Sequence, residues 1–180
     1  SADGGGSWSS LSGAGSKGWQ GITASADFTD LLATVYDGQI WRSTNSGVNW
    51  AALGGSPSKN WRQIAANSAF DKFAAAGSNI LYQSLNDGAT WSQITAAGSR
   101  PYIGICVSAD FTQMAATVNN GAIWVSHDSG ASWSMLTSVG SRNWNFMAAT
   151  ADFSMLVVVV YNGNIYHSVY DGPIDASTTW

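Results

Sequence analysis

The chain has 180 residues, of which 45% are hydrophobic and only 10% are charged, and its net charge is -4 with an isoelectric point near 4.7. A chain of this length forms one domain that buries roughly 70% of its unfolded surface. The acidic balance argues against a nucleic-acid partner. The single cysteine, Cys106, excludes an internal disulfide and a multi-cysteine zinc site.

Composition also favours sheets and turns over helices. Every acidic residue is Asp, and the chain contains 20 glycines and ten tryptophans. Asp and Gly favour turns, whereas the absent Glu favours helices. No apolar run reaches the length of about 18 residues that suggests a membrane span, and no signal peptide is visible. We expect an extracellular or secreted protein in its mature form.

One short motif recurs five times along the chain, and we call its copies the box turns. They read SADGGGSW (1–8), STNSGVNW (43–50), SLNDGATW (84–91), SHDSGASW (126–133) and a divergent copy over 168–180. Their first serines are separated by 42, 41, 42 and 42 residues. A period this regular is typical of a repeat architecture.

Four similar units lie between the box turns, at 19–42, 61–83, 102–125 and 144–167. Each unit begins with a large aromatic residue on a first strand, A, and continues through a turn that carries a Phe. A strand of small or apolar residues, B, follows, then a tight turn and an alternating strand, C. A fourth strand, D, starts at the tryptophan of the box turn. The pattern predicts an all-β protein, a propeller of four four-stranded antiparallel blades.

The chain ends bear on how the ring closes. The predicted blades lie around 19–53, 61–94, 102–136, and 144–167 with 8–11 added, because the last unit has no obvious D strand of its own. Pairing of 8–11 with the last blade would close the ring and remove exposed strand edges. The alternative is a larger ring of two or more chains, in which each chain lends 8–11 to its neighbour. The surplus fifth box turn fits either arrangement.

The motif S-x-D-x-G-x-x-W resembles the Asp-box of sialidases, sortilin-type receptors and photosystem-assembly-factor-like propellers. The copies with Asp3 and Asp128 match it at every fixed position, whereas Asn replaces Asp in two others. The resemblance implies structural turns between strands C and D, formed by Ser1, Asp3, Gly5, Trp8, Ser43, Asn45, Gly47, Trp50, Ser84, Asn86, Gly88, Trp91, Ser126, Asp128, Gly130, Trp133, Ser168 and Gly172. A calcium site at Asp3 or Asp128 would have one carboxylate where calcium prefers six to eight oxygens. We therefore expect no metal and no cofactor.

The resemblance also bears on catalysis. Sialidases of this family use an arginine triad, a Tyr with a Glu partner and an acidic acid/base group. This chain has no Glu, and its arginines are Arg42, Arg62, Arg100 and Arg142. The Asp residues available to a glycosidase, Asp27, Asp110 and Asp152, lie in repeated turns, where capping is their ordinary role. His127 and His167 form no recognisable triad. These observations predict that the chain is not an enzyme.

One face of the propeller repeats a pattern that would suit sugars. The loops from D to A and the turns from B to C open on the same face, and together they present basic, aromatic and amide residues in each repeat. The candidates are Lys17, Trp19, Tyr36, Asp37, Lys59, Trp61, Asn79, Arg100, Tyr102, Asn119, Asn120, Arg142, Trp144, Tyr161 and Asn162. They predict lectin-like, multivalent binding of glycans.

The alternative function is a structural or assembly module, such as a unit of an extracellular scaffold, filament or surface layer. Its partner would be another protein or further copies of the chain, which would interact through the terminal strands and the rim. The exposure of Trp19, Trp61, Tyr102 and Trp144 discriminates the two functions. Exposed rings favour glycans, and buried rings favour assembly.

Overall fold

A computed structural model of the chain describes residues 4–169. Within that range the chain is all-β, and its four antiparallel sheets are arranged as the predicted four-bladed propeller. Blades 1 to 4 follow chain order. Their strands are β1 (Trp19–Ala24), β2 (Leu31–Val35), β3 (Ile40–Ser43) and β4 (Ala51–Ala52); β5 (Ile64–Ala66), β6 (Phe73–Ala76), β7 (Leu81–Ser84) and β8 (Ser92–Gln93); β9 (Tyr102–Val107), β10 (Met114–Val118), β11 (Ile123–Ser126) and β12 (Ser134–Leu136); and β13 (Trp144–Ala149), β14 (Met155–Val160) and β15 (Ile165–Val169).

Each blade is a simple meander in which consecutive strands pair. Ala33 of β2, for example, lies opposite Ile22 of β1 on one side and Trp41 of β3 on the other. Short 3-10 turns at Ser12–Ala14 and Thr95–Ala97 lie in the loops that lead to strand A. No helix between residues 4 and 169 is long and apolar enough to cross a membrane.

The second strand of each blade is the most buried part of the fold. All residues of β2, β6 and β10 are buried. The small and apolar side chains of β6 and β10 pack against neighbouring blades on both faces. In blade 4 the same strand alternates, and Val157 is exposed while Val158 is buried. The blade at the end of the series is therefore covered on one face.

Three apolar cores lie between consecutive blades. Leu32 and Ile40 of blade 1 pack with Trp61, Ile64 and Phe70 of blade 2. The next core joins blade 2 to blade 3 in the same way, and the third joins blade 3 to blade 4. The fold is thus held together by blade-on-blade packing of apolar side chains.

The predicted pairing of 8–11 with the last blade is corrected by the structure. The sheet of blade 4 has three strands within the described residues, and 8–11 belongs to no strand there. The physical reason is that Leu11 lies against Gly47 in the box turn of blade 1, which keeps this segment at the first blade. Trp8 is almost fully exposed. Ser1, Asp3 and Gly172, together with most of the fifth copy, lie outside the described residues.

Candidate functional site

The complete box turns of blades 1 to 3 act as hydrogen-bonded corners. In blade 2, the Ser84 hydroxyl accepts a bond from the Gly88 N–H at 2.9 Å and donates to the Asn86 side chain at 3.1 Å. Asn86 in turn accepts the Thr90 N–H at 3.0 Å. Gly88 has a φ of 82°, which suits glycine. The same bonds recur around Ser43, Asn45 and Gly47, and around Ser126, Asp128 and Gly130.

The repeated Asp residues of the A-to-B turns are also hydrogen-bond acceptors. Asp27 accepts the Ser25 hydroxyl at 2.7 Å and the Thr29 hydroxyl at 2.8 Å, and these bonds lower its pKa to about 2. Asp110 accepts from Ser108 and Thr112 with the same lowering of its pKa to about 2. These carboxylates stabilise the turns in their ionised form.

Three of the four aromatic candidates that begin strand A are core residues. Trp61, Tyr102 and Trp144 are buried, and Trp19 is partly buried. The Tyr102 hydroxyl donates to the Ala97 carbonyl at 2.6 Å, and burial raises its pKa to about 12. Trp61 and Trp144 donate to the carbonyls of Pro57 and Gly140. Because these three rings are buried, they cannot form repeated sugar sites on the rim, and their burial favours the assembly alternative over rim binding.

The basic candidates mostly cover aromatic rings of strand C. The Arg100 guanidinium lies 3.6 Å from the ring centroid of Trp124, and Lys17 Nζ lies 4.4 Å from that of Trp41. Arg142 lies 4.9 Å from the Tyr166 ring. In these cation–π contacts, each positive charge is paired with an aromatic ring of the chain itself. Lys59 is exposed, and its backbone pairs with Gly38 in the B-to-C turn of blade 1.

The candidates of the B-to-C turns have backbone roles as well. Asp37, Asn120 and Asn162 all have φ between 51° and 56°, a left-handed conformation that Asp and Asn tolerate better than most residues. The Asn79 carbonyl accepts the Arg100 N–H at 3.0 Å. This bond, like those from the Lys59 N–H to Gly38 and from the Arg142 N–H to Gly121, joins a D-to-A loop to a B-to-C turn.

A cavity of about 370 Å³ opens on this face near the axis. Its lining includes the residue that directly follows the strand A aromatic in every repeat, and these four equivalents are Gln20, Arg62, Ile103 and Asn145. Asn119, Asn143, Trp144, Phe146 and Tyr161 complete the lining. Of the predicted candidates, the structure therefore brings together Asn119, Trp144 and Tyr161 at one place.

Two buried polar atoms of this cavity have no hydrogen-bond partner. They are Nε of Arg62 and the side-chain oxygen of Asn119. Arg62 is otherwise held by a long contact of 3.5 Å with the Gln20 side chain and by the ring of Tyr36, whose centroid lies 5.2 Å away. Buried polar atoms are normally paired, so these two are exceptions in this part of the fold.

Gln20, Arg62, Ile103 and Asn145 were not among the predicted site residues, because the four residue types differ and this hides the repeat at their position. The signal that could have identified them is their constant position directly after the strand A aromatic.

Among residues 4–169 no group of three His, Cys or Asp side chains has a metal-binding arrangement. Both carboxylate oxygens of Asp128 are bonded to Ser132 or Ser126.

No protein-family model matches the chain, and no curated protein matches it in sequence. Solved structures do match in fold. A xyloglucanase of the GH74 family from Xanthomonas campestris is 14% identical with a TM-score of 0.67, over 88% of this chain and 29% of that one. YCF48 from Cyanidioschyzon merolae is 13% identical with a TM-score of 0.64, over 89% and 55%. A chain of the nidogen/laminin complex is 17% identical with a TM-score of 0.65, over 80% and 57%.

These matches show that the chain shares the propeller fold, and that it spans less than two thirds of each of the three similar chains. They also correct the prediction that the chain is not an enzyme. Several of the similar propellers are GH74 glycoside hydrolases, so the absence of Glu and of an arginine triad does not separate this fold from catalysis. One fold can host many different functions, so the lack of sialidase-type catalytic residues does not exclude catalysis of another kind.

Proposed function

We propose that the chain binds a carbohydrate in the axial cavity on the face of the D-to-A loops and B-to-C turns. The observation that carries this proposal is the convergence of four repeat-equivalent residues on one cavity that contains two unpaired buried polar atoms. A volume of about 370 Å³ lies in the usual range of small-ligand pockets. One axial site thus replaces the four rim sites expected from the sequence.

The chemistry of the lining suits hydroxyl groups. Gln20, Asn119, Asn143 and Asn145 each have an amide that can donate and accept, and Arg62 adds donors in a fixed geometry. Tyr161 and Phe146 are exposed at the same cavity, so their rings are available to pack on the apolar face of a sugar. One of the similar propellers is a xyloglucanase, which adds general support from the fold.

A glycan array screened with the purified protein tests the proposal, followed by titration of the best oligosaccharide. We expect Arg62→Met to weaken binding by about 1.5–3 kcal/mol, or roughly tenfold or more, because it removes charged hydrogen-bond donors. Lys59→Met is the matched control. It removes one positive charge from the same face, but Lys59 is not part of the cavity lining.

Two results would count against carbohydrate binding. One is a protein that binds no glycan on the array. The other is an equal loss in Arg62→Met and Lys59→Met, which would mean that general charge on the face is responsible. Binding of a peptide without any glycan would instead favour a protein partner, as in the nidogen/laminin complex.

We also infer that the box turns belong to the Asp-box class. The support is local. The Ser side chain accepts the glycine N–H, and the Asn or Asp side chain accepts the N–H four residues on, in three repeats. An extracellular location would fit a glycan ligand, and secretion of the native protein can be checked by fractionation.

A further inference from the structure

The three internal blade junctions share one construction. A back face, made by strands B and C of one blade, packs on a front face, made by strand A and the turn Phe of the next blade. At the first junction, Leu32 and Ile40 form the back face, and Ile64 and Phe70 form the front face. All of these side chains are buried. The junction is therefore a defined apolar interface that the chain makes three times.

The front face of blade 1 has the same residues but lacks a blade against it. Ile22 is the equivalent of Ile64, and Phe28 is the equivalent of Phe70. Their exposed fractions are 64% and 67%, whereas those of Ile64 and Phe70 are 2% and 6%. An apolar groove of about 380 Å³, lined by Trp19, Ile22, Ala33 and their neighbours, runs along this face.

The back face of blade 4 is open in the same manner. Ile165 is the equivalent of Ile40, Leu81 and Ile123, all of which are fully buried, yet Ile165 is 71% exposed. Val157 is exposed as well, whereas its equivalents in the other blades are fully buried. The described part of the chain thus has one unpartnered front face and one unpartnered back face. The two are complementary halves of a junction that already exists three times.

The segment before blade 1 occupies the place of a D strand from a preceding blade. Leu11 lies against Gly47, just as Leu53 lies against Gly88 and Ile94 lies against Gly130. In those two cases, the leucine or isoleucine ends the D-strand region of one blade, and the glycine belongs to the box turn of the next. Blade 4 has strands A to C but no D strand among residues 4–169. The D-like segment and the blade that lacks one therefore lie at opposite ends of the series.

The inner strands are also matched for a junction between blade 4 and blade 1. Gly21, Gln63, Gly104 and Phe146 share one repeat position. Gln63 passes over Gly104, where an added Cβ would lie 3.0 Å from the Gln63 side-chain oxygen, and it bonds the backbone of Met147. At a junction between blade 4 and blade 1, Phe146 would likewise be a large residue that faces a glycine, Gly21.

We propose that a second copy of the chain supplies the missing partner, so that the back face of blade 4 packs on the front face of blade 1 of the other copy. The same contact made twice closes a ring of two chains, with 8–11 of each copy beside the C strand of the other. Two copies give eight blades, which lies within the usual range for propellers, whereas three would exceed it. Phe146 belongs both to this junction and to the lining of the axial cavity, which in such a ring would open on an axis shared by the two chains. The mass of the assembly needs no ligand and therefore tests this proposal separately from carbohydrate binding.

Light scattering of the purified protein on a sizing column tests this assembly. We expect a mass of two chains of 18.9 kDa each. Ile22→Asp and Ile165→Asp each place a carboxylate in the apolar junction and should raise the dissociation constant at least about tenfold. Leu85→Asp is the control, since Leu85 is similarly exposed but lies in a box turn away from both faces.

Circular dichroism of the variants separates assembly from folding. A folded single chain in both Ile variants, with two chains in the Leu85 variant, is the predicted set of results. A wild-type protein that stays a single chain at all concentrations would overturn the proposal. So would a two-chain assembly that both Ile variants retain, because its interface would then lie elsewhere.

Discussion

At the scale of single residues, the serine of each box turn has more structural effect than its size suggests. The Ser84 side chain is buried, and its hydroxyl is the acceptor for the buried N–H of Gly88. The carboxylate or amide two residues later orients this hydroxyl. The turn between strands C and D depends on a small network in which each polar group has a partner.

Ser84→Ala should destabilise the protein by about 1–3 kcal/mol, because the Gly88 N–H would be left buried without an acceptor. Urea unfolding followed by tryptophan fluorescence measures the change. Ser92→Ala is the control, since Ser92 is exposed on the short strand that follows this turn. Equal stabilities of the two variants would show that the Ser84 hydroxyl does not stabilise the turn.

Residue types predicted the turns better than the binding site. Asn86 and Gly88 define a turn by their own backbone preferences, so the sequence was sufficient there. The direction of Trp61 or Tyr102 depends instead on the blade packed against it, which local sequence does not specify. Arg62 has no local sequence signal either, because its position in the cavity arises only where four strands converge.

At the scale of elements, the inner strands set how closely the blades approach. Gly21 and Gly104 lie where β1 and β9 face the next blade. The Thr117 hydroxyl accepts the Gly104 N–H at 2.7 Å and contacts the Asn145 carbonyl of blade 4, also at 2.7 Å. Thr34 makes the same bridge from Gly21 to Arg62. Glycine at these places permits a hydrogen bond between adjacent blades.

Gly104→Ala tests this close approach. An added Cβ would lie 2.6 Å from the Thr117 hydroxyl and 2.8 Å from the Asn145 carbonyl, so the two blades would have to separate. We expect a loss of about 1–3 kcal/mol in the free energy of unfolding. Gly54→Ala is the matched control, because an added Cβ there meets nothing within 4 Å. A Gly104 variant as stable as the control would contradict the packing described.

At the scale of the whole molecule, the repeat predicted four blades, but it could not predict how the ends meet. Ile22, Ile64, Ile105 and Met147 share one position, and a sequence read alone treats them alike. The structure separates them, because three are buried at junctions while Ile22 is open. Whether the two ends of the chain meet depends on the sum of the angles between consecutive blades. No single position in the sequence specifies that sum.

The most direct test of the open junction is chemical cross-linking of a variant with Ile22→Cys and Ile165→Cys in the same chain. A short bismaleimide would join the two introduced thiols only where blade 4 meets blade 1. Cys106 should remain unreacted, since it is buried and burial raises its thiol pKa to about 12. We predict a cross-linked product with the mass of two chains on a denaturing gel. A product with the mass of one chain and both introduced thiols consumed would contradict it, because the ring would then close within a single chain.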